Sequence, residues 1–498
     1  MSSLTTLTKT GAVAKNITST ASGAIVAGKP VIVNSNGTVT QTAETLFTSN
    51  AIGTPDDAGT SYRAGSESGA CYHTGINRTI LSFPNSGNSY YATCTTATIS
   101  GTTMTMNTPT VINSTACASV GCAYDATENV VVFYYKYNGN GNAGRVRAAT
   151  VSGNSFSFGS ESNVFGNTSI GGGHDICNVN DGAVAICTGS SAASAQATVQ
   201  IITMSGTTLT VGGATGYMSS TTASVTRIAS GKKGELLCQM GNTGHMRYTA
   251  ATVSGTVVSA GATTELSGGS ISNNLASGYW AGYTTPESHY IATYQNPGGS
   301  EGDIVARLIT VSGTTLTLNA VTSLTADCNN SNQPGMGWGS SAQQALYYYR
   351  SNSTSSKGYV VELSYSGTTV SEANNTEIGT SKYMNWGVTW DQDAEKSIVM
   401  YQDGSNSDTA EVNCYIPTSS TTNLTPANFM GISGGAASNG GEASVIAQGG
   451  TATGLSGLTV GSDYYSGKDG TLGTSNIAPH VKVGKAISTT SLILTGDS

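Results

Sequence analysis

Five histidines, His73, His174, His245, His289 and His480, are the only imidazoles of the chain, and none stands in an HExxH or other metal-ligand spacing. The stretch SIGGGHDIC sets a glycine run beside His174 and an aspartate. An acyl-transfer site would need a serine or cysteine on a strand-to-helix elbow; the pattern predicts no helix there, so a glycine-rich loop is the simpler account. Two acid pairs, Asp391 with Asp393 in WDQDAEKS and Glu301 with Asp303 in GGSEGDIV, are each separated by a single residue in a turn. Glycoside hydrolysis needs two carboxyls facing each other across a sugar, roughly 5 to 9.5 Å apart. No EF-hand-like pattern accompanies the acids. The expectation is a chain that is not an enzyme, with no catalytic residues, bound metal or cofactor.

What must position any functional residue is set by composition. The 498 residues carry 20 Lys+Arg against 28 Asp+Glu, a net charge of −8, and only 10% are charged. An acidic chain without a basic run lacks the electrostatic footprint of nucleic-acid binding. The 64 glycines and a 38% apolar fraction arranged in short β-branched runs predict many short strands rather than disorder. No apolar run reaches the ~18 residues of a membrane-spanning helix, so no membrane insertion is expected. The start, MSSLTTLTKTGAVAKNITST, predicts no secretory signal. Nine scattered cysteines without CxxC spacing predict buried free thiols made in a reducing cytoplasm.

One phrase recurs: TATISGTTMTM, AATVSGNSFSF, IITMSGTTLTV, AATVSGTVVSA, LITVSGTTLTL and ELSYSGTTVSE, centred on Ser100, Ser152, Ser205, Ser254, Ser312 and Ser366. A degenerate seventh copy, NCYIPTSSTTNL, centres on Ser419 and has Thr418, Ser419 and Ser420 where the others have the hairpin glycine. The serines are 52, 53, 49, 58, 54 and 53 residues apart, about 53 on average. In the second copy ENVVVFYY is an unbroken apolar run, as for a strand covered on both faces. GRVRAATVS and NSFSFGS alternate with period two and are joined by a two-residue Ser-Gly hairpin, while SVGCAY is rich in small residues, as suits a strand crowded near an axis. Four antiparallel strands per repeat, seven times over, predict an all-β seven-bladed β-propeller across residues 55–426. The flanks, residues 1–54 and 427–498, are strand and turn, each too poor in apolar residues for its own core. Together they predict a small β-domain, formed by the two chain ends, into which the propeller is inserted.

Aligning on the turn before the apolar run puts Tyr124, Tyr283, Trp338 and Trp390 at one position, with Val179 and Ile228 in the third and fourth copies. A position shared across blades is expected to be core, although aromatic faces also bind sugars. The loops between second and third strands differ most: YNGNGNAGR, TGSSAASAQ, GNTGHMR, NPGGSEGD, SNSTSSKG and DGSNSDT. Loops on a rigid scaffold vary without costing the fold, so this propeller face is the expected recognition surface. Its candidate binding residues are Asn138, Asn140, Asn142, His245, Arg247, Glu301, Asp303, Asn352, Asp403 and Asn406.

The repeat core AYDATENVVVFYY…VRAATVSGNSFSFGSESNVF resembles the repeats of virion structural and tail fibre-like proteins of marine tailed bacteriophages. ASGAIVAGKPVIVNSNGTV is similar to their opening segment, and NFMGIS, GLTVGSDYYSGKDGTLGTS and VKVGKAISTTSLILTG to their terminal module. The resemblance spans nearly the whole chain and brings no catalytic motif. It implies a protein of the phage particle surface, with tail or capsid proteins as partners and a homotrimeric state. The expected function is a tail fibre or appendage that attaches to a host cell-surface glycan or receptor through the propeller. A head decoration or head fibre protein binding the capsid is the first alternative, and a polysaccharide-binding lectin or hydrolase propeller the second.

Overall fold

The computed structural model describes residues 16–47, 51–61, 68–138, 141–179, 182–190, 196–219, 225–231, 234–242, 245–266, 276–284, 287–295, 303–328, 334–339, 344–351, 353–354, 357–417, 419–474 and 481–495. The chain divides into two compact units, residues 1–48 with 418–498 and residues 49–417. These limits fall earlier than the 54/55 and 426/427 expected from sequence, because residues 51–61 are strands of the second unit and Ser419–Thr422 pairs with Glu44–Phe47 in the first.

In the first unit the two chain ends interleave. Asn16–Thr20 pairs with Glu442–Ile446, Pro30–Val33 with Phe429–Ser433, and Glu44–Phe47 with Ser419–Thr422. A five-stranded sheet built from residues 451–494 adds a core around Leu458, Tyr464, Val483 and Leu492.

The second unit is a run of four-stranded antiparallel repeats. Repeat 2 shows the plan: Thr110–Asp125, Val130–Tyr137, Ala143–Ser152 and Ser155–Phe158 pair in sequence order. The first six residues of Val130–Tyr137 are all buried, as their unbroken apolar character requires. The hairpin serine proves to be the last strand residue: Ser152 pairs with Ser155, so the loop is Gly153–Asn154 rather than Ser-Gly. Gly101, Gly153, Gly206, Gly255, Gly313 and Gly367 all have φ between +54° and +61° there, the first central position of a hairpin turn that only glycine takes without cost. The first strands are small because they crowd one another. A Cβ on Gly69 would stand 2.5 Å from the Cys122 nitrogen, and one on Gly121 2.9 Å from Ile176.

Successive repeats pack face to face through apolar clusters. One joins repeats 1 and 2 around Ile80, Cys94, Phe133 and Tyr135; another joins repeats 6 and 7 around Tyr348, Val360, Trp390 and Tyr415. A further cluster joins repeat 7 (Ile398, Met400, Val412, Cys414) to repeat 1 (Leu81, Phe83, Ala97, Met104). Each buried large apolar side chain contributes about 1.5–3 kcal/mol, so these interfaces are the core of the unit. The nine cysteines are free, and all but Cys177 are buried.

Repeat 7 explains why its hairpin glycine is missing. Its own strands are Lys382–Asp391, Lys396–Asp403 and Thr409–Ile416, after which the chain leaves. The outer edge is supplied from the other end of the sequence: Ala51–Ile52 pairs with Tyr415 and Ile416, and Asp56–Ser61 with Thr409 to Val412. The same segment reaches repeat 1, where Thr54 N–H donates to Thr102 O (2.9 Å), Met104 N–H to Thr54 O (3.2 Å) and Met106 N–H to Asp56 Oδ2 (2.7 Å). Gly53 sits in the narrowest part of this clasp, where a Cβ would collide with Cys414 Sγ and the Thr102 carbonyl.

Candidate functional site

Antiparallel order puts two kinds of connection at opposite ends of each repeat: the tight turns between strands one and two and between three and four at one end, the variable loops at the other. The sequence-expected residues belong to the loop end. Asn138 follows Tyr137 and is half-buried; Asn142 is exposed, with φ +65°, and its carbonyl accepts from Ile170 N–H (3.0 Å). Asp303 and Asn406 are exposed. Arg247 is half-buried and pairs with Glu265, Nε to Oε2 3.0 Å. Asn140, Glu301, Asn352 and the side chain of His245 lie outside the described residues.

Asp403 is buried at 4% exposure and has structural partners. It accepts from Lys382 Nζ (2.6 Å), Ser405 N–H (2.9 Å) and Ser405 O–H (2.5 Å), while the same ammonium reaches Glu411 Oε2 at 3.2 Å. Burial pushes the Asp403 carboxyl up, but the Lys382 ammonium and Ser405 donors more than offset this and hold it at about 2. Burial and the neighbouring Asp403 raise Glu411, against the pull of Lys382.

The loop end of repeat 2 holds side chains that loop comparison alone did not single out. Tyr135, Tyr137 and Arg145 project from one face, because Arg145 stands opposite Tyr135 and Tyr137 lies two residues on. Arg145 stacks on the Tyr137 ring, its guanidinium carbon 5.1 Å from the centroid. Glu161, in the connection to repeat 3, accepts at Oε2 from Asn113 Nδ2 (2.6 Å) and from Tyr135 O–H. Its other oxygen, Oε1, lies 3.7 Å from Arg145 Nε, an ion pair too long for a hydrogen bond. Cys117 stands opposite Tyr137 and donates its N–H to Tyr90 O (2.8 Å), bringing the 43%-exposed Tyr90 to the same rim.

The position of Arg145, seven residues before the hairpin serine, alternates along the chain: Arg145, Arg247 and Tyr359 in repeats 2, 4 and 6, but Thr93, Thr198 and Val305 in repeats 1, 3 and 5. In repeat 4 Arg247 stands opposite Glu265. In repeat 6 Tyr359 stands opposite Glu377, which Lys357 Nζ meets at 2.8 Å. The signal for this site was therefore an arginine at a fixed strand offset, not loop variability.

At the other end the first strands enclose a cavity of about 280 Å³, whose polar lining includes Tyr72, Tyr124, Asp175, Asn178, Arg227 and Thr389. Register corrects the aromatic alignment. Tyr124, Trp338 and Trp390 are indeed equivalent and buried, but Asn178 and Ser230, not Val179 and Ile228, hold that position in repeats 3 and 4, Trp280, not Tyr283, holds it in repeat 5, and Tyr72 holds it in repeat 1. Tyr72 O–H donates to Asp393 Oδ2 (2.9 Å), and Asp391 Oδ1 accepts from the N–H groups of Asp393 (3.0 Å) and Ala394 (2.8 Å). This acid pair thus fastens a turn and ties repeat 1 to repeat 7. His73 is buried and stacked on Tyr124 at 4.0 Å, with burial holding its pKa below the ordinary value. The expected glycine loop beside His174 is strand, Ser162–Asn178, and the imidazole packs edge-on against Tyr134 at 4.9 Å. Among the described residues no group of three or more His, Cys, Asp or Glu could hold a metal ion.

No protein-family model matches the chain, and no curated protein matches its sequence. Among solved structures it is similar to the BP39L lectin of Burkholderia pseudomallei, with 11% identity and a TM-score of 0.53 over 72% of this chain and 98% of that one. The fucose-recognising lectin of Aleuria aurantia, a six-bladed β-propeller, aligns at 12% identity and a TM-score of 0.42 over 64% and 98%. AofleA of Arthrobotrys oligospora aligns at 7% identity and a TM-score of 0.42 over 70% and 93%. At such identities the likeness to BP39L is one of fold, an all-β, propeller-like arrangement of sheets.

Proposed function

We propose that the second unit is a closed seven-bladed β-propeller that binds carbohydrate at its loop end. The apolar cluster between repeats 7 and 1 and the strand supplied by residues 51–61 support closure. The observation that carries the binding reading is the loop-end rim. There repeats 2, 4 and 6 set Arg145, Arg247 and Lys357 against Glu161, Glu265 and Glu377, with Tyr137 and Tyr359 beside two of these pairs. Paired donors and acceptors next to an aromatic ring suit a sugar's hydroxyls and its C–H face. The fold shared with a lectin supports the same reading. Binding without turnover is proposed, because Asp391 is committed to holding its turn and Asp393 to Tyr72.

The resemblance of the sequence to phage virion proteins supplies the setting: a particle-surface protein, on the tail or as a head decoration, that presents the propeller to a host glycan. A glycan array that includes bacterial surface polysaccharides, probed with the intact chain, tests the binding. Retention of a defined glycan class supports the reading, and failure to retain any glycan overturns it. Cryo-EM of a particle carrying the protein tests the setting: propellers outermost on the tail support attachment, and a regular lattice on the capsid makes decoration the role.

A further inference from the structure

We infer that the cleft formed by Arg145, Glu161, Asn113 and Tyr137 is a monosaccharide site for a neutral pyranose bearing vicinal hydroxyls, and that it differs in kind from its counterparts in repeats 4 and 6. The inference rests on the carbohydrate reading and narrows it to one cleft.

The contrast is one of unfilled valence. Arg247 and Glu265 are in direct contact at 3.0 Å, and Lys357 and Glu377 at 2.8 Å, so those pairs are shut. The Arg145 guanidinium makes no hydrogen bond among the described residues. Its Nε is shielded from solvent without a hydrogen-bond partner, and Glu161 Oε1 lies 3.7 Å from it. A guanidinium carries five donors and each carboxylate oxygen about two acceptor sites. Asn113 and Tyr135 hold Glu161 by Oε2, which fixes the carboxylate while leaving Oε1 to accept. A ligand hydroxyl at the rim accepts from a terminal guanidinium nitrogen of Arg145 and donates to Glu161 Oε1, both charge-assisted bonds. Its neighbour on the ring finds the remaining guanidinium donors.

The Tyr137 ring centre lies 5.1 Å from the guanidinium carbon, and the exposed Tyr90, whose carbonyl accepts from Cys117 opposite Tyr137, adds aromatic surface to the same end of the repeat. The pair is neutral overall, so an anionic sugar would face the Glu161 carboxylate at close range; this selects an uncharged pyranose. Repeats 1, 3 and 5, with Thr93, Thr198 and Val305 at the arginine position, lack the charge to build the cleft.

The test is calorimetric titration of the full-length chain with the methyl α-glycosides of mannose, galactose, glucose and fucose, run beside the glycan array. At least one should bind with a stoichiometry near one per chain. Arg145→Ala should weaken it tenfold or more, the loss of one charge-assisted contact, and Glu161→Gln by a similar factor. Lys485→Ala, an exposed change in the first unit, should alter it less than twofold. Thermal midpoints close to wild type establish that the variants fold, and Glu161→Gln, which keeps an acceptor for Asn113 and Tyr135, guards against a misfolded arginine variant. Array binding that survives Arg145→Ala, or array binding with none of the four glycosides bound, overturns this site while leaving carbohydrate binding in place. No retention of any glycan removes both.

Discussion

Repeats 2 and 7 set charges at the same place and use them in opposite ways. Arg145 stands opposite Tyr135, and Glu411 stands opposite Tyr401, at the equivalent point of their third strands. In repeat 7 Glu411 is buried together with Asp403 and Lys382, and the three groups satisfy one another under the edge that residues 56–61 complete. In repeat 2 the outer strand is an ordinary hairpin partner, Ser155–Phe158, and no closing segment needs to be held there. Its arginine is left facing a carboxylate it does not reach. Where residues 51–61 complete the edge of repeat 7, charge is enclosed; where a hairpin strand completes the edge, as in repeat 2, the arginine is left loosely paired.

The strongest way to break this comparison is at Lys382. Lys382→Met leaves Asp403 and Glu411 buried side by side, and equilibrium unfolding should show a loss of about 3–5 kcal/mol at neutral pH. A loss under 1 kcal/mol would show that the cluster is not holding repeat 7 together. The pH dependence carries a sign. In the wild type Asp403 is held at about 2, against an ordinary value of 3.8, so its contribution is complete above 3.8 and lost as pH falls toward 2. The variant should instead recover relative to wild type over that acid range, because protonation removes the unpaired charges.

Next comes the clasp itself. Gly53→Ala drives a methyl into Cys414 and Thr102, and should cost about 1–3 kcal/mol in the same unfolding assay. A wild-type midpoint would show that residues 51–61 do not bridge repeats 7 and 1 as described. Gly153→Ala tests the hairpin that repeat 7 does without: nothing crowds the new methyl, so the cost is that of φ +58° alone, about 1–2 kcal/mol. Smallest of all, Arg145→Ala should shift stability by no more than about 1 kcal/mol, because the guanidinium is largely covered but only loosely paired. A large destabilisation would make Arg145 a structural residue like Lys382 and erase the contrast.

Much of the fold was legible because the repeat writes its own punctuation. A glycine after each VSG-type serine forces a turn, and apolar runs such as VVVFYY can only be interior. The missing glycine at Thr418–Ser420 was visible too, but its cause was not. The replacement strand, DDAGTS, lacks apolar alternation and lies more than 350 residues away, as Asp56 pairing with Val412 shows. The aromatic position was misread in repeats 3 and 4 because their turns differ in length from that of repeat 2, and in repeat 5 because a register shift between Trp280 and Gly282 moves Tyr283 off it; alignment on the turn slides the strand beneath it. The Arg145 cleft was missed for a related reason. Its residues come from Asn113, Tyr137, Arg145 and Glu161, four elements whose convergence depends on which face each strand presents, whereas attention to loop variability selects only neighbours such as Asn138 and Asn142.

The strands Thr110–Asp125 and Ser162–Asn178 are each long enough to serve two repeats, pairing first with the third strand of the repeat before and then with the second strand of their own. Repeats 1, 2 and 3 are therefore one continuous hydrogen-bonded ribbon, whereas among the described residues repeats 4, 5 and 6 form separate sheets. Under mechanical load the two halves should fail differently. The ribbon must shear many backbone bonds together and should resist as a single stiff element. Among the described residues the later repeats meet their neighbours through side-chain packing, and they should peel apart in steps at lower force. On that expectation the Arg145 rim sits on the stiffer, continuously hydrogen-bonded part.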